Sequence, residues 1–252
     1  MVKNRRRTDN PVVLITGAGI RIGAETARIL HAAGASVVLH YHTSSAAAET
    51  LAAGLNHQRA GSALALRGNL LQPGEPETLV EKATAYYGRL DGLVNNASIF
   101  YPTPVGHINE EAWHDLIGTN LKAPLFLAQA AAPWLRQKRG MIVNMTDIHA
   151  QRPLQHYTLY CTAKAGLLGL TYALALDLAP EIRVNAIAPG AIAWPGDGSY
   201  SPEQQQTVID STLLKRVGSM TDIAKTIRFL MFDAPYITGQ VIAVDGGRSL
   251  AL

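Results

Sequence analysis

The chain has 252 residues, 48% of them apolar and 16% charged, a balance that suits one large folded α/β unit or two small ones and argues against disorder. Its formal net charge of +3 comes from the N-terminal segment, where Lys3, Arg5, Arg6 and Arg7 outweigh Asp9, so the remainder is not a nucleic-acid surface by charge. Cys161 is the single cysteine, which excludes an intrachain disulfide and suits a reducing cytoplasm, and no apolar run approaches the roughly 18 residues of a membrane span.

Residues 1–10 read as a flexible basic tail, because no apolar stretch follows the arginines as a secretory signal would require. The first expected strand, Val12–Thr16, runs through Gly17-Ala18-Gly19 into a helix at Ile22–Ala33. Glycines there let the backbone approach a pyrophosphate, and the helix N-terminus offers free N–H groups and a positive dipole end. The second strand, Ser36–Tyr41, is followed by His42-Thr43-Ser44-Ser45 and a helix at Ala46–Gln58. An NAD site places an acid here for the ribose 2′-hydroxyl. None occurs before Glu49, and His42, Thr43 and Ser44 can instead donate to a 2′-phosphate, so NADPH/NADP+ is the expected cofactor. Ser44 or Ser45 also suits the cap of the following helix.

A third strand at Ala63–Arg67 and a helix at Glu75–Tyr87 lead to the fourth strand, Gly92–Asn95. Asn95-Asn96-Ala97-Ser98 then lies where a parallel sheet opens its ligand crevice. A long helix is expected at Glu110–Gln137, with Asn120 inside it as an amide that needs partners if buried. After the fifth strand, Met141–Met145, the helix Leu159–Leu178 carries Tyr160 and Lys164, whose spacing of four places them on one face. An ammonium beside a phenol is expected to lower its pKa from about 10 and fit it for acid–base work. The neighbouring Cys161 faces about 100° away on an ideal helix and reads as packing. A sixth strand, Val184–Ile187, precedes Pro189-Gly190 and a Gly- and Pro-rich stretch around Trp194 that reads, over about residues 191–215, as a mobile substrate lid. Helices at Pro202–Thr212 and Thr221–Phe232 and a seventh strand at Gln240–Val244 complete the chain. The eight histidines show no metal-ligand spacing.

Near-unbroken Val, Leu and Ile strands alternating with helices give an α/β fold. The expected architecture is a single-domain, Rossmann-type, doubly wound parallel sheet of about seven strands with helices on both faces, over residues 11–252.

Taken in this order, Thr16-Gly17-x-x-x-Arg21-x-Gly23, Asn95-Asn96-Ala97, Asn120, Tyr160-x-x-x-Lys164, Pro189-Gly190 and Asp245-Gly246-Gly247 resemble the short-chain dehydrogenase/reductase family, from about Pro11 to Leu250. The resemblance implies reduction of C=O or C=N bonds, with Asn120, Tyr160 and Lys164 on catalytic positions and Lys164 also on the nicotinamide ribose. It implies a cofactor cleft that includes Gly17, Arg21, Ile22, Asn69 and Leu70. Asn95, Ala97, Ser98, Pro189 and Gly190 would line its other side. It further implies a homotetramer joined through the two long helices.

Two positions depart from the family's usual pattern. Thirteen residues before Tyr160, where the family has Ser to hold a carbonyl oxygen, stands Asp147; Thr146 is the nearest hydroxyl. An ionised carboxylate accepts only and repels a carbonyl oxygen, so it suits a substrate that is a proton acceptor or bears N–H donors. Arg21 stands where Gly is common and can clamp a pyrophosphate or reach a bound ligand. With Asn95-Asn96-Ala97-Ser98-x-Phe100-Tyr101, His40-Tyr41-His42 and the ending Asp245-Gly246-Gly247-x-Ser249-Leu250, these departures resemble the pteridine reductase branch, including bacterial dihydromonapterin- and dihydrofolate-reducing relatives. That likeness implies a pterin stacked on Phe100, touched by Arg21 and Ser98, and protonated by Asp147 and Tyr160. The branch commonly has Arg at Thr43 and Asp at Asn69, which weakens the expected grip on the 2′-phosphate and changes the adenine contact. A 3-oxoacyl thioester reductase is the alternative of the same fold, and a non-catalytic NADPH-binding regulator a third reading that the presence of Tyr160 and Lys164 opposes. No nucleic-acid or membrane partner is expected, and the location expected is cytoplasmic.

Overall fold

Strand β1 (Val12–Ile15) is buried along its whole length, as an apolar run must be when helices cover both faces of the sheet. Val13 and Ile15 point into one core and Val12 and Leu14 into the other. The computed structural model describes residues 9–194 and 200–252; most of the basic tail at 1–10 and residues 195–199 of the expected lid lie outside them.

Along the chain follow α1 (Arg21–Ala32), β2 (Ser36–Tyr41), α2 (Ser45–Gln58), β3 (Ala63–Arg67), α3 (Glu75–Tyr87) and β4 (Gly92–Asn95). Then come α4 (Glu110–Ile117), α5 (Ala123–Arg136), β5 (Met141–Met145), α6 (Thr158–Leu178), β6 (Arg183–Pro189), α7 (Pro202–Asp210), α8 (Met220–Arg228) and β7 (Val241–Val244). The seven strands are all parallel in the order β3-β2-β1-β4-β5-β6-β7. Side chains of α1, α2 and α8 fill one face and those of α3, α5 and α6 the other. The order reverses between β1 and β4, and the ligand crevice of such a sheet opens there, outside the carboxyl ends.

Two helices differ from the sequence expectation. Glu110–Gln137 is not one helix: a wide π-type stretch, Gly118–Lys122, divides α4 from α5. The reason is visible at Asn120, which is 1% exposed. Its amide donates to the carbonyls of Leu116 (3.0 Å) and Ile99 (3.1 Å) and accepts from Ser98 Oγ (2.6 Å), tying the helix to the end of β4. Pro124, which has no N–H for the carbonyl of Asn120 four residues earlier, lets the turn widen there. A similar wide turn, Phe229–Asp233, ends the expected Thr221–Phe232 helix at Arg228. β6 runs on to Pro189 because Pro189 still pairs with Val244 of β7.

By length and composition α6 is apolar enough to cross a membrane, with mean hydropathy 1.3, although Lys164 and Asp177 interrupt its apolar run. It lies against the sheet as a core helix, with Tyr160 and Lys164 buried on its inward side.

Candidate active site

Gly17 and Gly23 show why the turn after β1 is glycine-rich. Gly17 has φ +61°, the left-handed region, and a Cβ on Gly23 would lie 2.3 Å from the Gly17 carbonyl oxygen and 2.7 Å from Asn96 Nδ2. Asn96 staples the loop to β4: its Nδ2 donates to the carbonyls of Thr16 (2.8 Å) and Gly17 (3.1 Å). Thr16 Oγ1 in turn accepts from the backbone N–H groups of Asn96 and Ala97, both at 2.9 Å. The result is a pinned turn at the N-terminus of α1, the kind of helix start that suits a pyrophosphate.

His40, buried in an otherwise apolar strand, fixes the cradle from the other side. Its Nδ1 accepts from Gly17 N–H (3.2 Å), so Nε2 carries the proton and donates to the Gly68 carbonyl (3.2 Å). Burial lowers its pKa from 6.5 to about 4, which keeps the ring neutral. One side chain thus connects the ends of β1, β2 and β3.

At the end of β2, His42 and Thr43 are exposed, and Ser44 begins α2 without making a side-chain cap bond. Ser45 is occupied by Glu49 (2.8 Å), so neither serine caps the helix and Ser44 Oγ remains beside Gly19, where a Cβ would stand 2.3 Å from it. This end of the cleft offers hydroxyls and an imidazole to a 2′-phosphate, and the Glu49 carboxylate there is held by Ser45 and Tyr41. Asn69 and Leu70 follow β3, half-buried, with Asn69 Oδ1 accepting from Leu71 N–H (3.1 Å). Ile22 is half-buried in the first turn of α1. The Asn95 side chain turns into the sheet and donates to Asn144 Oδ1 (2.8 Å), leaving its backbone at the edge with Ala97 and Ser98. Pro189 ends β6 and Gly190 follows it, at the same carboxyl edge of the sheet.

Arg21 sits at φ +51°, a conformation that costs a side-chain-bearing residue about 1–2 kcal/mol. Its guanidinium crosses the crevice to the Ala193 carbonyl (3.1 Å), connecting the glycine loop to the segment after β6. It is exposed at the start of α1, and this one bond directs it across the crevice.

The chemical centre lies where α6 passes the end of β5. Tyr160, 4% exposed, donates through its hydroxyl to Asp147 Oδ2 at 2.6 Å. Asp147 Oδ1 accepts from His149 N–H (2.8 Å), so each carboxylate oxygen already holds one bond. Thr146 cannot stand in for it, because its hydroxyl is buried and donates to the Ile187 carbonyl (2.8 Å). Lys164 is buried, with Nζ donating to the Met145 carbonyl (2.8 Å) and lying 5.7 Å from the Tyr160 ring centre.

Here the expected electrostatics need correcting. The spacing suggested that Lys164 would lower the Tyr160 pKa; instead burial, and then the charge of Asp147, hold the phenol well above its usual value. Lys164 bonds a carbonyl rather than the phenol, and burial pushes its own pKa down to about 8. The pair therefore presents a protonated phenol, a proton donor in waiting.

Phe100 is 44% exposed at the mouth of the site. One face stacks on Tyr157 (4.4 Å between ring centres, 14° between planes), and its edge meets Tyr160 at 4.7 Å. Sequence reasoning missed Tyr157, although it lies one helical turn before Tyr160. It also missed Tyr200 and Arg248, which are near enough to Tyr157, Tyr160 and Asp147 to interact with them electrostatically. For His40 the signal existed: a lone polar residue in a buried apolar strand. Among the described residues no group of three His, Cys, Asp or Glu is placed to hold a metal.

The family model described as enoyl-(acyl carrier protein) reductase matches residues 17–249. Pteridine reductase 1 of Leishmania tarentolae is 40% identical, with 95% of this chain and 96% of that protein aligned. The 3-oxoacyl-[acyl-carrier-protein] reductase FabG of Staphylococcus epidermidis is 36% identical over 94% of this chain and 98% of its own length. The 3-oxoacyl-[acyl-carrier-protein] reductase of Synechocystis is 36% identical over 94% of this chain and 96% of its own. With its parallel seven-stranded sheet and its glycine cradle, the chain belongs to the short-chain dehydrogenase/reductase family and is an NADPH-dependent oxidoreductase.

Proposed function

We propose that this enzyme reduces pterins, taking dihydropterins or dihydrofolate to the tetrahydro form. The observation that carries the reading is the 2.6 Å bond from Tyr160 to a carboxylate, Asp147, where a carbonyl reductase needs a neutral hydroxyl. A carboxylate repels a substrate carbonyl oxygen but welcomes ring N–H donors, and a phenol held in its protonated form can give its proton to a ring nitrogen. NADPH bound in the cleft supplies the hydride.

The chain's own residues do the rest. Gly17, Arg21, Ile22 and the backbone of Asn95, Ala97, Pro189 and Gly190 position the nicotinamide and pyrophosphate portions. His42, Thr43 and Ser44 take the 2′-phosphate, and Asn69 and Leu70 the adenine side. Lys164 holds the cofactor ribose, while Asn120 fixes Ser98 against the substrate. Phe100, already stacked on Tyr157, offers its exposed surface to a flat pterin ring. Residues about 191–215 serve as the lid of a single domain spanning 11–252, the basic tail lies ahead of it, and the enzyme works in the cytoplasm as a homotetramer. Exposed Leu125, Tyr172 and Leu176 on α5 and α6 suit that assembly.

The pteridine reductase relative supports this reading; the 3-oxoacyl reductase relatives support the alternative, a thioester ketone reductase. Asp147→Ser separates them. On the pterin reading it lowers dihydropterin turnover by about 10²-fold or more, the scale of a lost acid–base partner, and raises turnover of an acetoacetyl thioester. Pterin turnover retained in Asp147→Ser would sink the proposal.

A further inference from the structure

Arg248 opens the short turn Arg248–Leu250 that follows β7. The Asp245 carboxylate pins this turn, accepting from Gly247 N–H (2.9 Å) and Ser249 N–H (2.8 Å). The turn packs against the end of β6 so closely that a Cβ on Gly190 would lie 2.7 Å from Asp245 Cα. Arg248 is therefore held at the same carboxyl edge of the sheet as Asp147, which follows β5, with β6 between their strands.

Its guanidinium is an anomaly. The residue is half-buried, and Nε is closed off from solvent with no hydrogen-bond partner. No ion pair among the described residues involves it. Asp147 and Tyr200 are near enough to act on it electrostatically, yet neither forms a hydrogen bond or an ion pair with it among the described residues. A guanidinium keeps its charge at neutral pH, and a buried donor left without a partner is costly. Its planar fork fits a carboxylate better than any other acceptor available in a pterin substrate. The ring itself has its own partners in Phe100, Asp147 and Tyr160, whereas Arg248 comes from a different strand end, after β7. The acceptor that fits is thus on the part of the substrate beyond the ring.

We propose that Arg248 is a specificity-determining residue that receives a carboxylate on the substrate's side chain, favouring pterins with an acidic tail over those with a neutral hydroxylated one. This rests on the pterin reading above. The test compares kcat and KM of the full-length enzyme for dihydrofolate, whose tail carries carboxylates, and for dihydrobiopterin, whose tail is neutral. In Arg248→Gln the ratio of kcat/KM, dihydrofolate over dihydrobiopterin, falls about tenfold or more, the scale of a lost charge-assisted hydrogen bond, and the loss appears in KM. Arg248→Lys restores part of it. A ratio unchanged within about threefold overturns the proposal alone. So does an equal loss of kcat on both substrates with a displaced pH profile, which would place Arg248 in the service of Asp147. Failure of the unsubstituted enzyme to turn over either pterin removes the pterin reading and this one with it.

Discussion

Replacing Tyr160 with Phe removes a single oxygen and leaves the buried ring, with its edge contact to Phe100, in place. Two quantities change. The 2.6 Å bond to Asp147 is lost, and hydrogen bonds to charged groups contribute about 1.5–3 kcal/mol. Asp147 is half-exposed and keeps its bond from His149, so water can replace part of the loss, and the stability cost belongs at the low end of that range. The rate suffers more. A positioned acid contributes about 10²–10⁴-fold, or roughly 2.7–5.4 kcal/mol of barrier. Steady-state NADPH oxidation with saturating dihydropterin reads the second quantity, and thermal unfolding of the same sample reads the first. The expected result is a kcat lower by at least about 10²-fold with Tm lowered by only about 3–6 °C. Turnover within about fivefold of the parent would refute the assignment of Tyr160 as the donor, whatever happened to Tm.

His40 predicts an acid-sensitive fold. In the unfolded chain it takes a proton below about 6.5, but in the fold only near 4, so its contribution is complete above pH 6.5 and lost as pH falls toward 4. That loss reaches about 3 kcal/mol, measurable by urea unfolding at pH 7 and pH 4.5, and His40→Gln should remove this part of the slope. A slope unchanged in the variant would exclude His40 as its source. Ser44→Asp puts a carboxylate beside the 2′-phosphate position; KM for NADPH should rise about tenfold or more while KM for NADH moves less, and equal effects on both would contradict the reading of the β2 end. Gly23→Ala forces a methyl against the Gly17 carbonyl oxygen and should cost about 1–3 kcal/mol in stability together with cofactor affinity, read by urea unfolding and NADPH fluorescence titration. A neutral Gly23→Ala would mean that the cradle is softer than its contacts imply.

The sheet was legible because each strand is an apolar run buried on both faces, and the spacing of Tyr160 and Lys164 is a local property of one helix. What escaped is tertiary. An amphipathic pattern cannot reveal the one-residue widening at Gly118–Lys122, because Asn120 earns its partners from Ile99 and Ser98, about twenty residues away. The same limit hid the Phe100–Tyr157 stack and the arrival of Tyr200 and Arg248, which follow different strands, near the same end of the sheet. The error about the Tyr160 pKa has a related cause: spacing places an ammonium near a phenol but says nothing of burial or of Asp147, and those two effects win.

The measurement that bears most directly on the account is NADPH oxidation by the unsubstituted enzyme against dihydrobiopterin, dihydromonapterin, dihydrofolate and an acetoacetyl thioester, side by side. The Tyr160–Asp147 pair predicts turnover of at least one pterin with kcat/KM at least about tenfold above that for the thioester, a preference of about 1.4 kcal/mol. Turnover of the thioester with none of any pterin would contradict it.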